Sequence, residues 1–408
     1  MLLVLLTSGC ALVSRFGTGF FLTPLTIFVA ANSLSLASYH LRLLDLREVS
    51  ARTHLVVVLA LVAFFFGFAL AAPRKGLALA AQRERDTRGL GGFFYLTSLL
   101  SLVGWLVPLA ILLRRYGSDQ LARQPSILQN DFQMQFLGYL NVLGIAVLPA
   151  FVAKWHLARR RAIDMVLVTS SLVGLFLAGI KQFIFFSVFV AYVTLSILRP
   201  GRVRLRHCVL GAVVGLAFFV FYNHVVDVGA TPIGGVSHFP GALRWMERPY
   251  LYLVGSWPAM EQASQGAIGE PPVAAYVTLQ PLWKILGDGL HLVKTVPPYL
   301  PFADIGCSPF NVFSFAGELY WDLGLLGMLV VSSLVGFFST ELFIRGCQSR
   351  SWFLPLTYGL FAYVLAISFF AYYVKFMVVV LLLYVIGAGS FLRLLSRVHR
   401  NTNWDAND

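Results

Sequence analysis

The chain predicts an all-α, polytopic helical membrane protein, and three observations carry that prediction. Of its 408 residues 58% are hydrophobic and 12% charged, with a mean hydropathy of +0.77, too few charged groups to clothe a soluble globule of this size. Apolar runs near 18 residues recur along the whole length, each long enough as a helix to cross a hydrocarbon core of about 30 Å. The runs are solid rather than alternating, which argues against a β-barrel, and a spanning helix satisfies its own backbone hydrogen bonds.

Taken in order, the apolar runs predict about eleven spans: 2–14, 17–40, 54–72, 93–113, 136–153, 163–180, 182–198, 208–226, 323–344, 352–370 and 372–392. The stretch 163–198 is the one that needs an argument. As a single helix it would be about 54 Å long, too long for one pass, whereas two passes of about 27 Å fit a thin bilayer. A reversal is therefore expected near Gly179-Ile180-Lys181, with Lys181 at or below the outer surface. The first residues resemble a short signal sequence, but they lack a charged start and a lipoprotein spacing before Cys10, so a first span is expected instead.

Charge distribution orients the spans. The segment 227–322 carries four Lys/Arg against eight Asp/Glu, net −4, so the rest of the chain holds +17. That positive charge sits in short connectors at Lys154–Arg161, Arg199–His207, Arg345–Arg350 and Arg393–Arg400, the kind that stay cytoplasmic. Counting back from the last of these places 227–322, 114–135 and the small loop 41–52 outside, and 74–88 inside. In the 41–52 loop three Arg stand against Asp45 and Glu48. The basic balance is thus a matter of membrane topology, and no nucleic acid partner is expected. Three parts follow: an N-terminal bundle over 1–226, a large external loop over 227–322, and C-terminal helices with a cytoplasmic tail over 323–408. Cys10, Cys208, Cys307 and Cys347 show no metal-ligand spacing, and no disulfide is expected.

The external loop is where chemistry is expected. It holds two Pro-rich elements, many aromatics and most of the chain's candidate reactive groups, and it returns to the membrane through Asn311-Val-Phe-Ser-Phe-Ala-Gly-Glu318-Leu-Tyr320-Trp321-Asp322-Leu-Gly324. Acids at a membrane mouth demand a reason. Several groups of this sequence stand as those of a family: the Phe20-Phe21-Leu-Thr-Pro24 entry, the pivot at Gly179-Ile-Lys181, Tyr250-Leu-Tyr252-Leu-Val-Gly255-Ser256, and Asn311-Val-Phe-Ser-Phe followed by Tyr320-Trp-Asp322-Leu-Gly324-Leu-Leu-Gly327. In these the chain resembles the O-antigen polymerase, or oligosaccharide repeat unit polymerase, family of bacterial inner membranes. It departs from that family in having Lys181 where Arg is commoner, a point charge in place of a bidentate fork.

The resemblance implies a glycosyltransferase of GT-C-like architecture whose active site faces the periplasm. Such an enzyme moves a growing glycan from one undecaprenyl-diphosphate-linked oligosaccharide donor onto a hydroxyl of a second, lipid-linked acceptor, as in lipopolysaccharide O-antigen synthesis. That chemistry needs cations at the departing diphosphate, an acceptor for the hydroxyl proton and a surface for sugars. Lys181, Arg244, Arg248 and Lys375 are the diphosphate candidates, the two arginines as an i, i+4 pair on one helical face. Glu318, Asp322 and His291 are the catalytic candidates, with Glu261 behind them. Tyr250, Tyr252, Trp257, Asn311, Tyr320 and Trp321 are the sugar-binding candidates. No metal and no cofactor is expected, the transfer is expected to invert, and membrane lipid and a chain-length regulator are the other expected partners.

Each candidate also has a purely structural explanation. Arg248 can pair with Glu247, Lys375 can reach the interface along its stem, the two acids can cap the entering helix, His291 can be an exposed loop residue, and Tyr and Trp can anchor at the interface. Two other functions compete. An O-antigen ligase shares the donor but transfers to a lipid A core. A transporter of lipid-linked oligosaccharide or small solutes would show repeat symmetry between two halves, which is not visible in this chain.

Overall fold

In a computed structural model, the structure describes residues 20, 22–71, 84–124, 127, 136–159, 161–178, 181–200, 217, 233–293, 297, 300–374 and 376–404. The expected spans 2–14 and 208–226, the Gly179-Ile180 turn and Lys375 lie outside them. The chain is a predominantly helical membrane protein. Among the described residues five helices are long and apolar enough to cross a membrane, Ala51–Ala71, Leu90–Leu121, Tyr139–Leu157, Ser314–Gln348 and Met377–Ser396, and three more are apolar but shorter. The 163–198 stretch is indeed divided, into helices Ala162–Leu177 and Lys181–Leu198. Two long helices are not continuous. Gly117 (φ 75°, ψ 161°) breaks Leu90–Arg123 and Gly324 (φ 69°, ψ −174°) breaks Ser314–Gln348, both in a backbone region open essentially to glycine alone.

The contacts divide the chain into two compact units. One comprises residues 1–77, 230–344 and 364–379, the other 78–229, 345–363 and 380–408.

In the first unit, helices Ala51–Ala71 and Ser314–Gln348 pack backbone against backbone. A Cβ on Gly67 would lie 1.8 Å from the Ser333 carbonyl oxygen, and one on Gly336 would lie 2.2 Å from that of Phe64. This is the small-residue contact that lets membrane helices approach where no hydrophobic driving force separates protein from lipid. Phe28 stacks on Phe64 and meets Phe315 edge-on, closing the core beside it. The large loop condenses into short helices, Glu247–Val254, Ser256–Ser264 and Gln280–Lys284, and a two-residue hairpin pairing Ala303 with Phe310. It is stitched to the 41–52 loop by Asp45 N–H to Val236 O, Arg47 N–H to Ile305 O and His238 N–H to Leu43 O. An Arg47–Asp304 ion pair adds to these, while Arg42 pairs with Glu48 within the small loop. The two loops therefore share one side of the membrane, and two of the three arginines of 41–52, Arg42 and Arg47, have acidic partners there.

In the second unit, the basic connectors meet around a helix end. Arg85, 7% exposed, donates to the carbonyls of Gly346, Ser349 and Ser351, satisfying C-terminal acceptors that a helix leaves open. Burial pushes its guanidinium down to about 10. Asp86 beside it accepts from Arg88 and Arg393, and although burial opposes this, those bonds hold its carboxyl well below the usual range. Deeper in the same unit Lys154 and Asp164 form a buried pair, with the Tyr95 hydroxyl donating to Asp164 and accepting from Lys154, which ties the end of helix Gly144–Leu157 to the start of Ala162–Leu177.

Candidate functional site

The site grows from an interruption. Between helices Phe353–Ala366 and Phe376–Trp404 the chain runs without helix, and a non-helical backbone at membrane depth must find partners in protein. Three of its carbonyls and the Ser368 hydroxyl find donors. Ser314 N–H bonds Phe370 O and Phe315 N–H bonds Ser368 O, while Ser256 Oγ donates to Phe369 O and Asn32 Nδ2 to Ser368 Oγ. Its amide at Tyr372 donates to Glu318 Oε2 at 3.2 Å. Ser314, at φ 64°, caps the helix it begins through Gly317 N–H to Ser314 Oγ. The cap is thus a serine, and the two acids of the motif do other things.

Glu318 is fully buried and Asp322 is 9% exposed, one helical turn apart on the segment before Gly324. Asp322 Oδ2 accepts from Thr278 N–H at 2.8 Å and from the Thr278 hydroxyl at 2.7 Å. Its other oxygen, Oδ1, is buried with no hydrogen-bond partner among the described residues. Trp321 is fixed from the same loop segment by Nε1–H to Gly269 O, and Tyr276 packs edge-on against its ring. Burial first, then the charges of Glu318 and Asp322, raises the Tyr276 phenol above its ordinary value. Two carboxylates and a phenol therefore share one buried neighbourhood, closed by residues 269–278 of the loop.

The other expected residues scatter. Tyr250 and Trp257 are in the core, so neither ring offers a face to a sugar in this conformation. Tyr250 hydroxyl donates to Ser38 O and accepts from Leu43 N–H, and Trp257 Nε1–H donates to Ser35 Oγ. Tyr252 is 37% exposed and edges against Phe310. Asn311 is half-buried at the start of the re-entry motif, and Tyr320 accepts from Arg52 through its hydroxyl. Arg52 is thus a cation in contact with the motif, a residue the sequence did not single out for the site. His291 is exposed, with φ 52°.

Arg244 and Arg248 do not form the expected α-helical pair. Residues Gly241–Met246 are a 3-10 turn and the α-helix begins at Glu247. The change from three residues per turn to 3.6 between them means that the i, i+4 spacing does not put the two arginines on one α-helical face. Lys181 begins its helix in the second unit, with its side chain outside the described residues.

Thr278, Tyr276 and Tyr372 went unnoticed in the sequence because nothing local marks them. Thr278 meets Asp322 across 44 residues and Tyr372 meets Glu318 across 54. Glu261 braces the fold, accepting from Ser50 N–H and Ser50 Oγ, and from Gln265. Burial works against its charge, but these bonds and one from Thr53 hold its carboxyl below the ordinary value. Among known protein families, curated proteins and solved structures, none matches this chain.

Proposed function

We propose that the chain is a membrane glycosyltransferase that polymerises undecaprenyl-diphosphate-linked oligosaccharide repeat units at the periplasmic face of a bacterial inner membrane. The observation that carries the proposal is the Asp322 carboxylate: buried, held on one oxygen by Thr278 and without a hydrogen-bond partner among the described residues on the other. A base must be oriented before it is useful, and two bonds from one threonine orient this one. In the proposed step the acceptor hydroxyl attacks the anomeric carbon of the donor glycan, and its proton passes to Asp322 Oδ1. The bond to the diphosphate breaks as the new one forms, and the polyprenyl diphosphate departs with the electron pair. A single displacement of this kind inverts the anomeric centre. Glu318 acts as a positioning residue through Tyr372, and the half-exposed Tyr252 is retained as a sugar contact. The diphosphate is assigned to cations of the loop side, Arg52 and Arg244 first among those described.

The test is a reconstituted assay with purified protein in vesicles that contain lipid A core and a synthetic polyprenyl-diphosphate oligosaccharide, for the native chain and Asp322→Asn. A ladder of lengthening glycans, reduced on the order of 10²–10⁴-fold in the variant as for loss of a general base, is the expected result. A single transfer onto lipid A core only would establish the ligase, and movement of the lipid-linked sugar across the bilayer without new glycosidic bonds would establish the transporter.

A further inference from the structure

Directly after Thr278 the loop presents apolar side chains to its surroundings. Leu279, Leu282, Ile285, Leu290 and Leu292 are 43% to 70% exposed, the densest such group in the large loop among the described residues. The first three recur at steps of three through helix Gln280–Lys284. The π-turn Ile285–Gly289, closed by Leu290 N–H to Ile285 O, then carries the chain to Leu290. A run of large exposed apolar residues on a short helical segment needs a partner.

Its depth identifies that partner. Thr278 is bonded to Asp322 through both backbone and side chain. Past Gly324 the helix exposes Leu326, Val330, Leu334 and Phe338, a stripe at steps of four that in a spanning helix is its lipid-facing side. Asp322 is four residues from the first of these across the Gly324 break, a reach of at most about 14 Å even for extended chain. Residue 279 therefore starts near the end of the spanning segment at which the lipid-facing stripe starts. Composition agrees with depth: in a loop of net −4, the segment 279–293 is neutral, with Lys284 against Asp288, Lys294 follows it, and Trp283 lies next to Lys284. Apolar residues on one side with Lys and Trp beside them are the composition of a segment lying in a membrane interface.

We propose that residues 279–293 lie in the membrane surface on the loop side, with Leu279, Leu282, Ile285, Leu290 and Leu292 among lipid acyl chains. The lipid contact fixes the depth of Thr278 and, through it, the orientation of the Asp322 carboxylate. The proposal is independent of the glycosyl transfer argued above and holds for any chemistry at Asp322.

The experiment uses the native chain in phosphatidylethanolamine–phosphatidylglycerol vesicles doped with a phosphatidylcholine that bears a diazirine on its acyl chain. After photolysis, adducts are mapped by peptide mass spectrometry. Adducts are expected within 279–293 at a yield comparable to that in 326–338, falling several-fold in the Leu282→Gln, Ile285→Gln double variant while labelling of 326–338 persists, which also reports that the variant is folded. Adducts in 326–338 with none in 279–293 of the native chain would overturn the proposal.

Discussion

Replacing Gly67 by alanine tests the helix contact on which the first unit rests. The added Cβ would fall 1.8 Å from Ser333 O and 2.9 Å from Phe337 N, both backbone atoms of a helix that cannot rotate away as a side chain can. Ordinary contact begins near 3.4 Å, so the two helices must part by about 1.6 Å. A radial gap of even 0.5–1 Å forfeits about a quarter to a half of the dispersion well, and forced overpacking costs about 1–3 kcal/mol. Alanine at the same time gains about 1 kcal/mol of helix propensity, so the net loss at Gly67 is expected at up to about 2 kcal/mol. Gly387 supplies the opposite sign: it is also within a helix, but its Cβ would meet nothing within 4 Å, so Gly387→Ala is expected to be neutral or stabilising. The assay is thermal unfolding in detergent in a Cys10→Ser, Cys208→Ser background, followed with a thiol-reactive fluorophore that reports the buried free Cys307 and Cys347 as they become exposed. Burial also pushes the Cys307 thiol up to about 11, which keeps it unreactive in the folded state. Equal midpoints for Gly67→Ala and Gly387→Ala would refute the close helix contact.

Three further outcomes are expected. Gly324→Ala should lower the unfolding midpoint by the equivalent of about 1–3 kcal/mol although nothing lies within 4 Å of the new Cβ, because the cost is backbone strain at φ 69°, ψ −174°; an unchanged midpoint would mean a continuous helix through Asp322. Glu261, whose folded carboxyl lies below its ordinary value of 4.5, contributes stability that is present above that value and lost as pH falls through the folded one. Chemical unfolding between pH 6 and about 3 should therefore show a smaller acid-induced loss for Glu261→Gln than for the native chain, and parallel curves would remove Glu261 from the linkage. Arg85→Met should destabilise by about 1–3 kcal/mol by stranding the carbonyls of Gly346, Ser349 and Ser351, with Arg85→Lys recovering part of the loss; a native-like midpoint in the same thiol assay for Arg85→Met would show those carbonyls to be satisfied otherwise.

Much of the architecture is local information and was readable as such. Hydropathy depends on each run alone, so the apolar helices of the described residues fall where solid apolar runs predict them, and the length of 163–198 against bilayer thickness required the division between Leu177 and Lys181. The re-entry motif was readable too, because acids beside a span stand out against their neighbours. Tertiary structure decided what those acids do. Thr278 and the Tyr372 amide are ordinary residues in sequence, and only the fold brings them across 44 and 54 residues to Asp322 and Glu318. The same limit explains Tyr250 and Trp257, whose amphipathic rings suit a sugar face or a buried hydrogen-bonded core equally well until the partners Ser38 and Ser35 are in place. It also explains Arg244 and Arg248, since a 3-10 turn and an α-helix share the same spacing on paper and differ by the rotation per residue. Apolar runs and charge made this chain a helical membrane protein on their own, because transfer into lipid is a property of each segment. The buried carboxylate with one oxygen held by Thr278 and the other without a hydrogen-bond partner among the described residues exists only once distant segments have met.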